Sequence, residues 1–392
     1  MTGITIIIGA VLSIGFAKLA AMIVNWLCAH RLAKKIVFAD KSLNLALIAT
    51  YPIVLGDGLL KSELGGTEGL LAIGPPYSVL IWMGALGFLF LIRSTIAYSR
   101  YSPPRCEVSV ESRLIDLRSD PELRWRENLI QRKGKYHRLA SLPGNEQFTI
   151  DVSTKSYCLP DIPAEWNGLS IVHLTDFHFL GGLSRRYFEI VCELASSLQP
   201  DIFVFTGDVL DKQELVNWIP ETLGKLKAPL GQYFVLGNHD WYHDPAATRR
   251  EFVRNGWIDL ASRFVSVPHR HASGSPLVLC GDETPWMGTH PDMSDAPAGA
   301  FQILLSHTPD NIAWARDNRM HLMLAGHTHG GQIRLPVLGP IYSPSYYGCR
   351  FASGVFWLEP TLMYVSRGVS GKQPIRYNCP PEVTKLVLLR NS

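Results

Sequence analysis

Five short apolar runs, each broken off by a polar loop carrying aspartate, asparagine or histidine, set the narrowest limits on what this chain can be. Ile171-Val172-His173-Leu174 leads into Thr175-Asp176-Phe177-His178. Ile202-Phe203-Val204-Phe205 leads into Thr206-Gly207-Asp208-Val209-Leu210-Asp211, and Tyr233-Phe234-Val235-Leu236 into Gly237-Asn238-His239-Asp240. Later, Ile303-Leu304-Leu305 leads into Ser306-His307, and Leu322-Met323-Leu324 into Gly326-His327-Thr328-His329. Runs this short, β-branched and aromatic, separated by longer amphipathic segments, read as buried parallel strands joined by crossover helices. Such sheets bind ligands at the carboxyl ends of their strands. Five strand ends should therefore bring their polar side chains to one rim.

Asp, Asn and His suit divalent cations of intermediate hardness. Asp176 and His178, two residues apart on a loop, can hold one ion together. Asp208 follows a glycine that permits a tight turn, and its two carboxylate oxygens can bridge two ions. His327 and His329 lie between Gly326 and Gly330-Gly331, a pliable backbone on which the two imidazoles can face different ions. With Asn238 and His307 this is the donor set of a two-metal centre, which activates water and stabilises in-line displacement at phosphorus. The remaining histidines carry less. His173 sits within a strand and reads as a packed residue, while His243, His269, His271 and His290 lie in polar loops as surface residues, His290 being a candidate for the substrate entrance. Arg334 and Arg367 stand near the motifs, where a phosphate, a membrane headgroup or a structural ion pair could occupy them.

Residues 4–29 are long and apolar enough to cross a bilayer, which takes about 20 residues, and they lack the charged start and cleavage site of a signal peptide. Lys18, inside this stretch, reads as a snorkelling side chain or one facing a neighbouring helix rather than as a relay charge. Residues 43–60 form a weaker stretch, interrupted by Pro52, Gly56, Asp57 and Gly58, and residues 70–92 a strong one. Basic residues follow the first stretch (Arg31, Lys34, Lys35, Lys41) and the third (Arg93, Arg100, Arg105). Three spans rather than two put both clusters on the cytoplasmic side, together with everything beyond them. Residues 1–100 are thus a transmembrane region and 101–165 a linker with an edge strand at 148–157. Residues 107–138 read as a solvated helix and linker, and residues 166–392 form the domain that holds the site.

Composition excludes some alternatives. A net charge of +3, with no dense Lys/Arg tract, leaves no electrostatic footprint for nucleic acid. The seven cysteines are scattered and odd in number, which fits a reducing compartment better than a disulfide framework.

The order D-x-H, G-D-x-x-D, G-N-H-D, H, G-H-x-H, each after an apolar run, resembles the calcineurin-like metallophosphoesterases over residues 169–390. The Ser306-His307-Thr308-Pro309 and Gly326-His327-Thr328-His329-Gly330-Gly331-Gln332 elements look most like the membrane-anchored bacterial branch. That branch holds YkuE-like enzymes and a diphosphatase acting on UDP-2,3-diacylglucosamine in lipid A synthesis. The resemblance implies an α/β/β/α sandwich: two mixed sheets face to face with helices outside, preceded by transmembrane helices, with residues 362–365 and 383–389 in the second sheet. It implies that Asp176, His178 and His329 bind one metal, that Asp208 bridges, and that Asn238, His307 and His327 bind the other. His239 would contact the phosphate and assist the leaving group, and Asp211 would hold His239 in place; Asp240 closes its motif and is structural. Purple acid phosphatases have a tyrosine where this chain has Asp211, so manganese, zinc or ferrous iron is expected rather than ferric iron. The Lys212-Gln213 pair, where protein phosphatases have Arg-Gly, disfavours a phosphoprotein substrate. The expected protein is a multi-pass enzyme of the bacterial inner membrane, with its catalytic domain in the cytoplasm and a phosphorylated, lipid-linked substrate. Two other readings use the same residues: a phosphodiesterase or nuclease acting on soluble nucleotides, and a metal-binding membrane scaffold without turnover.

Overall fold

A computed structural model describes residues 2–64, 77–131, 134, 136–267 and 274–390. His269 and His271 lie outside the described residues. The chain divides into two compact units, Met1–Tyr101 with Arg334–Arg350, and Ser102–Ile333 with Phe351–Ser392.

In the first unit, α1 (Gly3–Cys28), α2 (Lys34–Leu64) and α3 (Tyr77–Ser99) are each long and apolar enough to cross a membrane. A helix satisfies all its backbone groups internally, which a segment in lipid requires. The second stretch, fragmented in sequence, is one continuous helix through Pro52, Gly56 and Gly58. Proline and glycine break helices in water, but in membranes neighbouring helices restore the lost contacts. Asp57 is held by Lys61 Nζ at 2.7 Å and by the Tyr77 hydroxyl at 2.8 Å. A Cβ at Gly15 of α1 would lie 1.9 Å from the carbonyl oxygen of Gly84 on α3, so the two backbones meet only because neither residue has a side chain. Phe16 stacks on Tyr51 of α2 with ring centroids 4.1 Å apart. On the outside, Ile4, Ile7, Leu45, Ile53, Trp82 and Leu89 are exposed. An apolar exterior on helices of this length marks lipid as their solvent.

The second unit is built from strands numbered here in chain order: β1 (Glu107–Asp116), β2 (Thr149–Leu159), β3 (Leu169–Leu174), β4 (Ile202–Thr206), β5 (Gln232–Val235) and β6 (Ile258–Asp259), then β7 (Phe264–Val267), β8 (Leu277–Asp282), β9 (Phe301–Ser306) and β10 (Leu322–Ala325). The short hairpin β11 (Arg334–Leu335) and β12 (Gly339–Pro340) belongs to the first unit. β13 (Gly354–Leu358), β14 (Thr361–Val365) and β15 (Glu382–Arg390) complete the second. One sheet runs β1-β2-β15-β3-β4-β5-β6 and the other β13-β14-β10-β9-β8-β7. Their facing sides bury Ile171, Val204, Val235, Ile303, Leu324 and Leu386 in one core. The outer face of the first sheet is covered by helices Arg185–Ser197 and Pro245–Arg254, through Phe188, Val191 and Phe252. Helix Ile312–Asp317 covers the outer face of the second, through Ile312 and Ala315. This is the expected sandwich of two mixed sheets between helices. β3, β4 and β5 run parallel, as do β8, β9, β10 and β14, so the strands carrying the five polar loops end together as their sequence required.

Three local expectations differ from the structure. Glu107–Asp116 is a strand, not a helix: it pairs antiparallel with β2 at the sheet margin. β2 is consequently an interior strand, with β15 parallel on its other side. β15 itself belongs to the first sheet, between β2 and β3, while only β14 joins the second.

The β15 junction carries a buried ion network. Glu382 Oε1 accepts from the Arg367 amide at 2.7 Å and from the Tyr364 hydroxyl at 2.9 Å. The Arg367 guanidinium reaches Glu382 Oε2 at 2.8 Å and also pairs with Asp151. Arg367 thus has a structural ion pair, not a phosphate. Burial pushes the Glu382 carboxyl up, but Arg367 and Lys155 outweigh it and hold the group well below its usual range. Arg367→Ala leaves Asp151 without its cation and Glu382 with only Lys155, 3.9 Å away, and is expected to cost about 3 kcal/mol. A carboxyl depressed in the folded state contributes its stability above the unfolded value, about 4.3 for glutamate, and loses it as pH falls through the lower folded value. Thermal unfolding at several pH values should therefore show the variant's deficit in full at neutral pH and shrinking on acidification. A deficit constant with pH would reject the pairing.

Candidate metal centre

β3 delivers Asp176 and His178, β4 delivers Asp208 and Asp211, and the loop after β5 delivers Asn238 and His239. β9 and β10 deliver His307 and the pair His327 and His329. Asp176, His178, Asp208, His327 and His329 all have positive φ (59°, 49°, 57°, 68° and 50°), a conformation uncommon outside glycine and typical of functional sites. Each loop turns sharply to aim its side chain inward. Gly207, at φ 97°, permits a close approach: a Cβ there would lie 2.5 Å from the Gly237 nitrogen and 2.8 Å from His307 Nδ1.

The donor atoms form overlapping clusters. Asp176 Oδ1 lies 3.8 Å from His178 Nε2 and 3.7 Å from His329 Nε2. Asp208 Oδ2 lies 3.6 Å from His178 Nε2 and 3.2 Å from His307 Nε2, so it stands between two groups. His307 Nε2 is 3.1 Å from Asn238 Oδ1 and 3.1 Å from His327 Nδ1. Asp176, His178 and His329 form one set able to hold a cation, and Asp208, His307 and His327 another; His178, Asp208 and His239 form a third that overlaps them. The seven residues expected as ligands are thus brought together. Asp176 Oδ1, His178 Nε2, Asp208 Oδ2 and His327 Nε2 are buried without a hydrogen-bond partner. An unsatisfied buried polar atom costs about 1–3 kcal/mol. Four such atoms in one place fit divalent cations, which oxygen and imidazole donors would satisfy at once.

Hydrogen bonds at the far nitrogens orient the rings. His307 Nδ1 lies 2.6 Å from the Thr206 carbonyl oxygen, His329 Nδ1 3.1 Å from that of Ser370, and His178 Nδ1 3.1 Å from Asp211 Oδ2. In each case Nδ1–H donates and Nε2 is turned to the cluster, the arrangement that fixes tautomers of metal-binding imidazoles. Burial pushes His178 down, but Asp176, Asp211 and Asp208 outweigh it and raise the imidazole to about 10. His307 is likewise raised, against burial, to about 9 by Asp208 and Asp176. The field inside the cluster is therefore negative and favours bound positive charge.

Asp211 bridges two imidazoles: its Oδ1 lies 2.6 Å from His239 Nδ1, with Oδ2 on His178. Asp240 accepts four backbone N–H groups, from Asp208 and Gly237 at 2.9 Å, Val209 at 3.0 Å and Leu210 at 3.3 Å, and so clamps the loop that carries Asp208. His173 is a packed residue, with Nε2 2.8 Å from Thr206 Oγ1. His290 bonds Asp282 at 2.7 Å and stacks on Trp314.

Two contributors carry no motif. Trp286 is buried, with its ring 4.9 Å from that of His327 and 5.6 Å from that of His307, closing the apolar side of the second cluster. Arg376, fully buried, donates to the carbonyl oxygens of His329 and Arg367 at 2.9 Å and to that of Ser370. A buried arginine beside a family of histidines is visible in sequence only as one more basic residue.

Residues 169–331 match the family profile of the calcineurin-like phosphoesterases. The chain is similar to the metallophosphoesterase YkuE of Bacillus subtilis, 31% identical over 243 residues that make up 58% of this chain and 81% of YkuE. It is similar to the UDP-2,3-diacylglucosamine pyrophosphatase LpxG of Chlamydia trachomatis, 29% identical over 300 residues, 60% of this chain and 88% of LpxG. A transmembrane protein with metallophosphoesterase domain from Danio rerio is 30% identical over 243 residues, 58% of this chain and 54% of the fish protein.

Proposed function

Because the chain belongs to the calcineurin-like phosphoesterases and is a membrane protein that hydrolyses phosphate esters with divalent metals, we propose that it cleaves the pyrophosphate of UDP-2,3-diacylglucosamine at the cytoplasmic face of a bacterial inner membrane. The observation that carries the chemistry is Asp208 Oδ2, orphaned between two sets of histidines. The substrate rests on the likeness to LpxG and on three apolar helices in the same chain, since a lipid tail would stay in the bilayer. The side of the membrane rests on Arg31, Lys34 and Lys35 after α1 and on Arg93, Arg100 and Arg105 around the end of α3.

Asp176, His178 and His329 would hold one ion and Asn238, His307 and His327 the other, with Asp208 shared between them; manganese, zinc and ferrous iron all suit these donors. The ions would supply an activated water and neutralise charge at phosphorus. Asp211 fixes the Nδ1–H of His239, so that Nε2 is the nitrogen available to the substrate. As a water oxygen bonds to one phosphorus and the P–O–P bond breaks, a doubly protonated His239 would give its Nε2 proton to the departing phosphate oxygen, and the proton shed by the attacking water would pass to solvent. This dyad separates an enzyme from a scaffold, which needs no leaving-group acid.

The test is UMP release from UDP-2,3-diacylglucosamine by the full chain loaded with manganese or zinc. His239→Ala is expected to slow release about 10²-fold with metal content unchanged. Activity confined to a generic phosphodiester would keep the hydrolase and discard the lipid substrate. No turnover of either, with metal bound, would leave the scaffold.

A further inference from the structure

The seven-stranded sheet ends on β1, which has β2 on one side and, among the described residues, no strand on the other. An open strand edge presents unpaired N–H and C=O groups to any further strand. Proteins commonly keep such edges short, and the other margins of the two sheets conform: β6, β7 and β13 have two, four and five residues. β1 has ten, and every residue from Val108 to Leu114 is exposed. A bulge between Glu107 and Ser109 disturbs its start, but from Ser109 to Asp116 its register with β2 is unbroken. That run is a regular template for another strand.

The side chains select which strand fits. Successive residues point to opposite faces, so Val110, Ser112 and Leu114 share one face and Glu111 and Arg113 the other. Among the described residues no ion pair reaches Glu111 or Arg113. A strand that pairs antiparallel with its own copy does so about a two-fold axis, where residue i faces j and j faces i. With that axis at Ser112, Glu111 faces Arg113 of the second copy and Arg113 faces its Glu111, which makes two opposite-charge pairs on one face. On the other, Val110 faces Leu114 twice, with the two Ser112 side chains between them. Cross-strand pairs of these kinds are what stabilise a sheet. Moving the axis one residue either way would set Glu111 against Glu111 or Arg113 against Arg113. Charges that merely guard an edge repel a second strand; these are placed to attract an identical one.

We propose that β1 joins β1 of a second copy of this chain, antiparallel about Ser112, so that two seven-stranded sheets become one across a homodimer.

The test is sedimentation velocity of the full chain in detergent over a dilution series. The wild type should sediment as a dimer that dissociates on dilution. By the symmetry of the pairing, Glu111→Arg and Arg113→Glu each turn two attractive pairs into two repulsive ones, and each should weaken the dimer about tenfold or more. The double variant, Glu111→Arg with Arg113→Glu, restores opposite charges and should recover the wild-type constant. Both side chains are exposed, so the thermal midpoints of all three variants should match the wild type. A monomeric wild type would overturn the proposal, as would single variants that associate as tightly as the wild type, which would place the contact elsewhere. A double variant as weak as the single ones would overturn the register. No metal or substrate enters the measurement, so its outcome is independent of the fate of the proposed reaction.

Discussion

Asp208→Ala is expected to abolish turnover, by at least ~10⁴-fold or more than about 5 kcal/mol of transition-state stabilisation, and to reduce the bound metal from two ions to one or none. Among the described residues no other side chain stands between both histidine sets: its Oδ2 lies 3.6 Å from His178 Nε2 and 3.2 Å from His307 Nε2. Its Oδ1 accepts the His239 amide at 2.7 Å, so the loss also loosens the residue proposed to serve the leaving group. Burial pushes this carboxyl up, yet His307, His239 and His178 hold it well below its usual range, and it is charged when ions arrive. Inductively coupled plasma analysis beside a turnover assay reads both effects. A variant that keeps two ions and loses only rate would remove Asp208 from its bridging place.

Asp240→Ala should be the most destabilising change in the catalytic unit, although Asp240 is not among the seven residues expected as ligands. Its two oxygens receive four buried amides, and removing them leaves those donors unpaired at about 1–3 kcal/mol each. A loss of at least ~5 kcal/mol is expected, in the range reserved for broken buried networks. Asp240→Asn should do only somewhat better, because its NH₂ faces N–H groups that need an acceptor. The thermal midpoint in detergent and the metal content should fall together. A midpoint near that of the wild type would mean that the Asp208 loop is held by something else.

How much of this could be read from sequence depends on what each residue must satisfy. The candidate metal donors are legible because binding a cation demands side chains such as Asp, Asn or His, and the five strand ends repeat that demand after the same apolar run. The backbone beneath them was not legible. Asp176, His178, Asp208, His327 and His329 adopt a conformation that propensity assigns to glycine, held by contacts from other strands. Trp286 and Arg376 escaped because they act through packing and carbonyl groups, which many residue types can reach. β1 escaped for a plainer reason: Val108, Val110 and Leu114 alternate with polar residues, but they are exposed and the charged residues that follow make the stretch read as a solvated linker. β15 has the composition of a strand, but composition does not say which neighbours it joins. The helix through Pro52 shows the converse, since rules for breaking helices in water lose force where lipid leaves the backbone no other partner.

The place of β15 has a consequence for how the protein is made. Thr384 pairs with His173 on one side and, through Ser153, β15 joins β2 on the other, so the seven-stranded sheet is divided until this segment leaves the ribosome. By then the three apolar helices have long been synthesised. The nascent chain therefore waits at the membrane with β1–β2 detached, β3 presenting an open edge and Arg367 without Glu382. That edge is a hazard for pairing with other chains, and interrupted synthesis should yield a tethered, aggregation-prone fragment even when every residue of the candidate metal centre has already been translated.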